Sequence, residues 1–411
     1  MNKLWTKDFT IITLGSVISM LGNAVAGFAI GLLVFEMTQS TLLYAVFMIC
    51  YSLPRVIMPL FAGPWLDRFS RRKMIYMLDF FSSGFYLLIA TLLYVGWFNY
   101  IIFLLLCMVV GSVDSMYTVA YESFYPTLIS KGNYSKAYSI SSLLYPLANT
   151  VMVPIAGICY ETVGMTPLFL FNAVTFFAAA VFETRISSNE KHLANREAKA
   201  KSFSFKEYGR DMRIGVDYLK KEKGLLTITA YFFINALTGA ALSTLTLPFF
   251  ERTPGLGVPV YTVVMAVATF GRLVGGLIHY RFRYPVDKKF AIALAVYIII
   301  SLLDGSYMFM PLAVMIVFQF LVGITGVTSY NIRISSTQNY VPDEMRGRFN
   351  GLFQMCFMAG MILGQLAAGA LGDIFPERNV VAVFMGLNVV GALLIIFRNR
   401  RYVKPIYNTE A

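Results

Sequence analysis

Charge is what this chain has least of. Asp, Glu, Lys and Arg together make up 14% of its 411 residues, where a water-soluble globular protein carries about a quarter. That shortfall leaves too little polar surface to cover a soluble fold of this size. Histidine is almost absent. His192 and His279 lie too far apart in sequence to form a metal-ligand or nucleophile–base pattern. The four cysteines, Cys50, Cys107, Cys159 and Cys356, all fall inside apolar runs. They show neither metal spacing nor the pairing of a disulfide scaffold, and read as small apolar residues. No glycine-rich nucleotide loop is present. These absences lead to the expectation of a chain that is not an enzyme and takes no cofactor and no metal.

What the chain has instead is apolar length. Hydrophobic residues make up 57% of it. They gather into twelve runs of roughly 20–26 residues, each long enough to cross a bilayer as a helix. The runs lie near 9–35, 41–65, 74–96, 99–121, 137–160, 165–184, 224–250, 259–280, 289–309, 311–332, 347–372 and 379–398. The first follows Lys3 and Lys7 and is too long for a signal-peptide core, so it reads as a retained span. The formal charge of +12 is placed rather than spread. With both termini in the cytoplasm, 30 of the 34 Lys and Arg lie on the inner side, all but Arg55, Arg252, Arg272 and Arg378. The positive-inside rule therefore predicts a multi-pass protein of the cell membrane with both termini cytoplasmic. The basic charge is topological. The partner it implies is the lipid bilayer, and no nucleic acid is expected.

The chain also repeats itself. Phe35-Glu36-Met37-Thr38 ends the first run and Phe250-Glu251-Arg252-Thr253 ends the seventh. Tyr44 precedes Arg55 as Tyr261 precedes Arg272, Asn172 precedes Arg185 as Asn388 precedes Arg401, and Glu122 precedes Pro126 as Gln338 precedes Pro342. Four matches in the same order indicate a six-plus-six duplication. The predicted fold class is all-α integral membrane, with twelve transmembrane helices in two pseudo-symmetric six-helix bundles. The predicted domains are an N-terminal bundle over 1–184, a cytoplasmic linker over 185–223 and a C-terminal bundle with a cytoplasmic tail over 224–411. The polar stretch beginning at Glu183 carries Phe205, Tyr208, Met212, Val216 and Leu219 at helical spacing among cations. That is the pattern of an amphipathic helix lying on the membrane surface, with a solvated linker as the alternative.

Between the second and third runs stands Gly63-Pro64-Trp65-Leu66-Asp67-Arg68-Phe69-Ser70-Arg71-Arg72-Lys73. Gly63 and Pro64 are expected to end the helix, and the cations to stay among the headgroups. One carboxylate among four cations suggests a latch that changes partners as helices move. A plain positive-inside loop is the alternative. The string resembles the signature loop of the major facilitator superfamily, Gly-x-x-x-Asp-Arg-x-Gly-Arg-Arg, with Ser70 where Gly is usual. Two shorter strings, Phe35-Glu36-Met37-Thr38-Gln39-Ser40 and the stretch from Gln338 to Arg348, resemble its macrolide-efflux-like, drug:proton antiporter-3 branch. The superfamily resemblance implies a transporter, monomeric by default, whose halves enclose a binding site near the bilayer midplane. It also implies that Gly63, Asp67, Arg68, Arg71, Arg72 and Arg348 act together as the gating latch.

Ionisable groups inside a bilayer are expensive, and each calls for a role. Asp114, in the fourth run, is the proton-coupling candidate, with a structural salt bridge as the alternative. Arg55 is its natural partner. Arg55 and its duplicate Arg272 either clamp an anionic group across a shared cavity or snorkel to the headgroups. Asp79 is expected to pair with a loop cation, and Glu36, Glu251 and Asp304 to be solvated at span ends. Gly360, Gly364, Ala367, Ala368 and Gly369 read as a packing seam. The resemblance implies that the fourth, seventh and tenth runs line the cavity, which makes Tyr117, Tyr121, Tyr231, Asn235, Gln319 and Tyr330 its candidate wall. The leading expectation is a secondary transporter that exports an amphipathic small molecule in exchange for protons. The alternatives are an anion or lysophospholipid carrier or flippase using Arg55 and Arg272, and a membrane sensor that does not transport.

Overall fold

The computed structural model describes residues 4–66, 70–130, 133–187, 205–281 and 284–408. Every regular element among them is helical. The first six are α1 (Lys7–Thr38), α2 (Thr41–Leu66), α3 (Arg71–Tyr94), α4 (Tyr100–Leu128), α5 (Tyr134–Val163) and α6 (Met165–Glu183). Then come α7 (Phe205–Lys221), α8 (Lys223–Arg252), α9 (Gly257–Arg281), α10 (Lys289–Ser306), α11 (Leu312–Tyr340), α12 (Asp343–Gly372), α13 (Glu377–Gly391) and α14 (Arg400–Tyr407). The twelve expected spans appear as α1–α6 and α8–α13, the last extended by a π-helical segment, Ala392–Phe397. Ten helices among the described residues are long and apolar enough to cross a membrane by length and composition. The architecture is the predicted all-α membrane fold.

The chain forms two compact units. The first comprises Met1–Gln39 and Phe47–Phe203, the second Ser40–Val46 and Ser204–Ala411. In the first, α6 packs on α1 and α3, around a core that includes Phe9, Ile12, Phe124, Tyr125 and Ile186. Helix α1 is set by its ends. Thr6 caps it by accepting from the Phe9 N–H, and Gln39 closes it in the left-handed conformation, the C-terminal geometry that satisfies a last-turn carbonyl.

In the second unit α12 packs on α8 and α11 on α9. The α8–α12 contact is a glycine seam. A Cβ at Gly360 would run into the carbonyl of Phe233, and one at Gly364 into that of Leu237. Only hydrogen at those positions lets two backbones approach so closely. The duplication is visible in local chemistry. The Thr38 hydroxyl donates to the Val34 carbonyl at 2.7 Å and the Thr253 hydroxyl to the Phe249 carbonyl at 2.5 Å. Phe35, Phe250, Asn172 and Asn388 are all buried.

Three expectations are corrected. Gly63 and Pro64 do not end α2, which runs on to Leu66, because a proline removes one N–H from the ladder without ending it among apolar neighbours. Glu183 is not part of the polar tether. It is the last residue of α6 and fully buried. Helix α7 forms as expected, but Gly215 packs on Leu352 and Arg348 of α12 and Leu219 enters the core of the second unit. Protein covers that face at Gly215 and Leu219.

Candidate functional site

Two places inside the units collect polar groups. The first lies between α3, α4 and α6. Asp79 is 1% exposed and Glu183 is 0% exposed. Among the described residues no hydroxyl, amide or cation donates to either oxygen of Asp79, and its hydrogen-bonding neighbour is the carboxyl of Glu183, with that of Asp114 also acting on it. Glu183 lies on the bare backbone of Gly15, where an added Cβ would sit 2.9 Å from its Oε1. That oxygen accepts from the Tyr117 hydroxyl at 3.4 Å, and its Oε2 has no partner among the described residues. Among the described residues no loop cation acts on Asp79. Arg71 donates to the Ser123 carbonyl of α4, and Arg72 to the Thr184 carbonyl, the C-cap of α6. Asp114 is half-buried and lines a small cavity with Asn23, Asp79, Ser82 and Tyr117. Tyr121 is buried in the core of the unit, stacked between Tyr117 and Tyr125.

The second place is a cavity of about 420 Å³ within the second unit. Phe232 and Asn235 of α8, Tyr330 and Arg333 of α11, and Phe353 and Gln354 of α12 form much of its wall, with Asp304 of α10 and Asn388 of α13. Of the sequence candidates, Asn235 and Tyr330 are in the lining. Tyr231 is fully buried behind it, tilted on Tyr297. Gln319 is buried too and donates to Asp304 at 3.1 Å. Asp304 is therefore not a solvated span-end group but a buried one, 5% exposed. Arg272 is exposed on α9 and outside the lining, although its charge acts on Asp304.

Arg333 was not among the expected residues. Its guanidinium lies 4.6 Å from the ring centre of Phe353, 5.0 Å from that of Phe232 and 5.5 Å from that of Tyr330. The hydropathic run stops at 332 and places Arg333 in a loop. The helix nevertheless continues to Tyr340, and its hydroxyl residues bond back to their own helix: Ser335 donates to the Asn331 carbonyl and Thr337 to that of Arg333. Such back-bonding lets polar residues sit in a helix that hydropathy ends too early.

The remaining latch candidates divide. Asp67 and Arg68 lie outside the described residues, as does the side chain of Arg55. Arg348, in the second turn of α12, is half-buried beneath Gly215. Glu36, expected to be solvated, accepts from the Tyr160 hydroxyl. Asp373 had no assigned role. It sits just past α12 and receives Ser40 Oγ at 2.7 Å and the Thr41 N–H at 2.7 Å. Partial burial pushes its carboxyl up, but the hydrogen bonds from Ser40, Thr41 and Leu42 outweigh this and hold it below the ordinary carboxylate range. Among the described residues no three His, Cys, Asp or Glu are grouped to hold a metal.

The fold has known counterparts. The chain is 24% identical over 401 residues to an uncharacterized MFS-type transporter, YkuC, of Bacillus subtilis (strain 168), covering 95% of this chain and 91% of that protein. In fold it is similar to the nucleoside transporter NupG, with a TM-score of 0.70 at 13% identity over 95% of this chain and 99% of that one. It is also similar to a bacterial homologue of the iron transporter ferroportin in an inward-facing state, with a TM-score of 0.68 at 13% identity over 98% of both chains. Residues 12–356 and 283–411 match the Major Facilitator Superfamily, and with matches spanning nearly its whole length the chain belongs to that superfamily of membrane transporters.

Proposed function

We propose that this transporter exports amphipathic organic compounds by proton antiport and alternating access, as in the macrolide-efflux-like branch its shorter motifs resemble. The observation that carries this reading is the cavity of the second unit. Its wall sets aromatic surface (Phe232, Tyr330, Phe353, Phe357) beside polar and charged anchors, Asn235, Gln354 and Arg333 among them. Binding sites for amphiphiles combine apolar walls with sparse, placed polar groups in this way.

Asp114 is the proposed proton carrier, half-buried beside two further carboxyls. Asp67 with Arg68, Arg71, Arg72 and Arg348 is the proposed cytoplasmic latch. The solved relatives named above include a nucleoside transporter and a homologue of an iron transporter. At 13% identity their cargo is no guide to this one.

The test is flux in liposomes with an imposed pH gradient, using a panel of amphipathic cations, macrolide-like neutral compounds and lysophospholipids. Gradient-driven movement of a drug-like solute, lost in Asp114→Asn, supports antiport. Flux indifferent to both pH and Asp114 sinks it. In the same assay Asp67→Asn is expected to spare binding and slow turnover.

A further inference from the structure

We propose that Arg333 anchors an anionic group, so that the solute held in the second unit is an organic anion carrying an apolar or aromatic body. This rests on the reading that the cavity of the second unit takes the transported solute.

The first argument is the cost of the residue. Arg333 lies seven residues before the end of α11, about 10 Å along the helix axis, in a segment long and apolar enough to span a membrane. A cation at such a position is kept only where something pays for its lost hydration. Arg333 has no carboxylate within ion-pair distance and no hydrogen-bond acceptor among the described residues. Its surroundings are the rings of Phe232, Tyr330 and Phe353. Asp304 shares the cavity, but its carboxyl is held by Gln319.

The second argument is geometry. Aromatic rings stabilise a guanidinium through their faces and leave N–H groups free to donate. A planar fork of donors with no acceptor of its own matches a carboxylate, sulfonate or phosphate, which it can bind through two parallel hydrogen bonds. Ser329 is one helical turn from Arg333 on the same side of α11, and Gln354 faces them from α12. Both line the cavity and neither makes a hydrogen bond among the described residues. They are free to bind the remaining oxygens of such a group, while Phe353 and Phe357 take its apolar part.

Two sources could supply this chemistry, a soluble aromatic anion or the headgroup of a single-chain lipid, and the test has an arm for each. Binding of 2-naphthoate and of its neutral isostere 2-naphthamide would be measured by calorimetry on the purified full chain in a non-ionic detergent. Lysophosphatidic acid and the matching monoacylglycerol form the second pair. In at least one pair the anion is expected to bind about tenfold or more tightly than its neutral partner. The preferred pair identifies the source. Arg333→Gln is expected to bring the two members level, and Arg333→Lys, which keeps the charge but loses the fork, to retain part of the preference. If Arg333→Gln does not fold, a reduced preference in Arg333→Lys supports the anchor. Equal binding of both members in both pairs overturns the proposal, as does an anion preference that survives in Arg333→Gln or is unchanged in Arg333→Lys. Failure of the transport reading looks different: an Arg333-dependent preference in binding, but no flux of that anion in liposomes under any imposed gradient.

Discussion

The backbone N–H of Thr41 donates to Asp373 Oδ1 over 2.7 Å, and Asp373 thereby caps a helix more than three hundred residues away in sequence. Thr41 opens α2, where N–H groups have no partner within the helix, and a carboxylate there also meets the positive end of the helix dipole. Ser40 donates to the second oxygen at 2.7 Å. Asp373→Asn is expected to lower stability by about 1 kcal/mol at neutral pH, after allowance for solvent screening at this exposed site. Since the folded carboxyl is held below its ordinary value, its contribution is full above the unfolded value of about 4 and is lost as pH falls through the folded one. Melting curves of wild type and variant in detergent should therefore differ at pH 6–7 and converge towards pH 3.

Glu183 and Asp79 place two buried carboxyls together with no cation beside them among the described residues. Glu183→Gln retains an oxygen for Tyr117 and removes one of the charges. It is expected to raise stability by about 1–3 kcal/mol, read as a higher melting temperature at pH 8. A fall would mean that a cation balances the pair.

The glycine seam makes a sharper demand. In Gly364→Ala the new Cβ meets the Leu237 carbonyl, and overpacking against backbone costs about 1–3 kcal/mol or more. Gly386→Ala, with nothing within 4 Å of the added carbon, removes glycine from a helix interior. It should be neutral or stabilising by up to about 1 kcal/mol. The two melting temperatures, measured side by side, separate packing from propensity.

Arg252 and Glu377 form an ion pair at 2.7 Å, with the arginine side chain 33% exposed. Ala at either position should cost less than about 1 kcal/mol, and the difference should shrink in high salt. A loss well above that would mark the pair as part of a larger network.

Much of the fold is legible in the sequence because a bilayer imposes length. Twelve apolar runs could only become twelve helices, and Gly360 and Gly364 announced a close contact. The candidate site is less legible, since burial there is decided by distant residues. Glu183 reads as the start of a polar linker because Thr184 and Arg185 follow it, yet its pocket is the bare backbone of Gly15 on α1. Asp79 reads as a partner for nearby cations, but of these Arg71 and Arg72 donate to backbone carbonyls of Ser123 and Thr184. Arg333 hides in a polar stretch that hydropathy ends too early, where hydroxyls satisfy themselves on their own helix's carbonyls.

The seam between α8 and α12 bears on how a solute reaches the cavity those helices help to enclose. Gly360 meets Phe233, and Gly364, one turn on, meets Leu237, one turn along α8. The two backbones are notched together at matching intervals, so one can slide past the other only in whole turns of about 5.4 Å. No acyl chain or aromatic ring fits between backbones that already exclude a methyl group. A solute arriving sideways from the lipid does not pass between α8 and α12 at this seam.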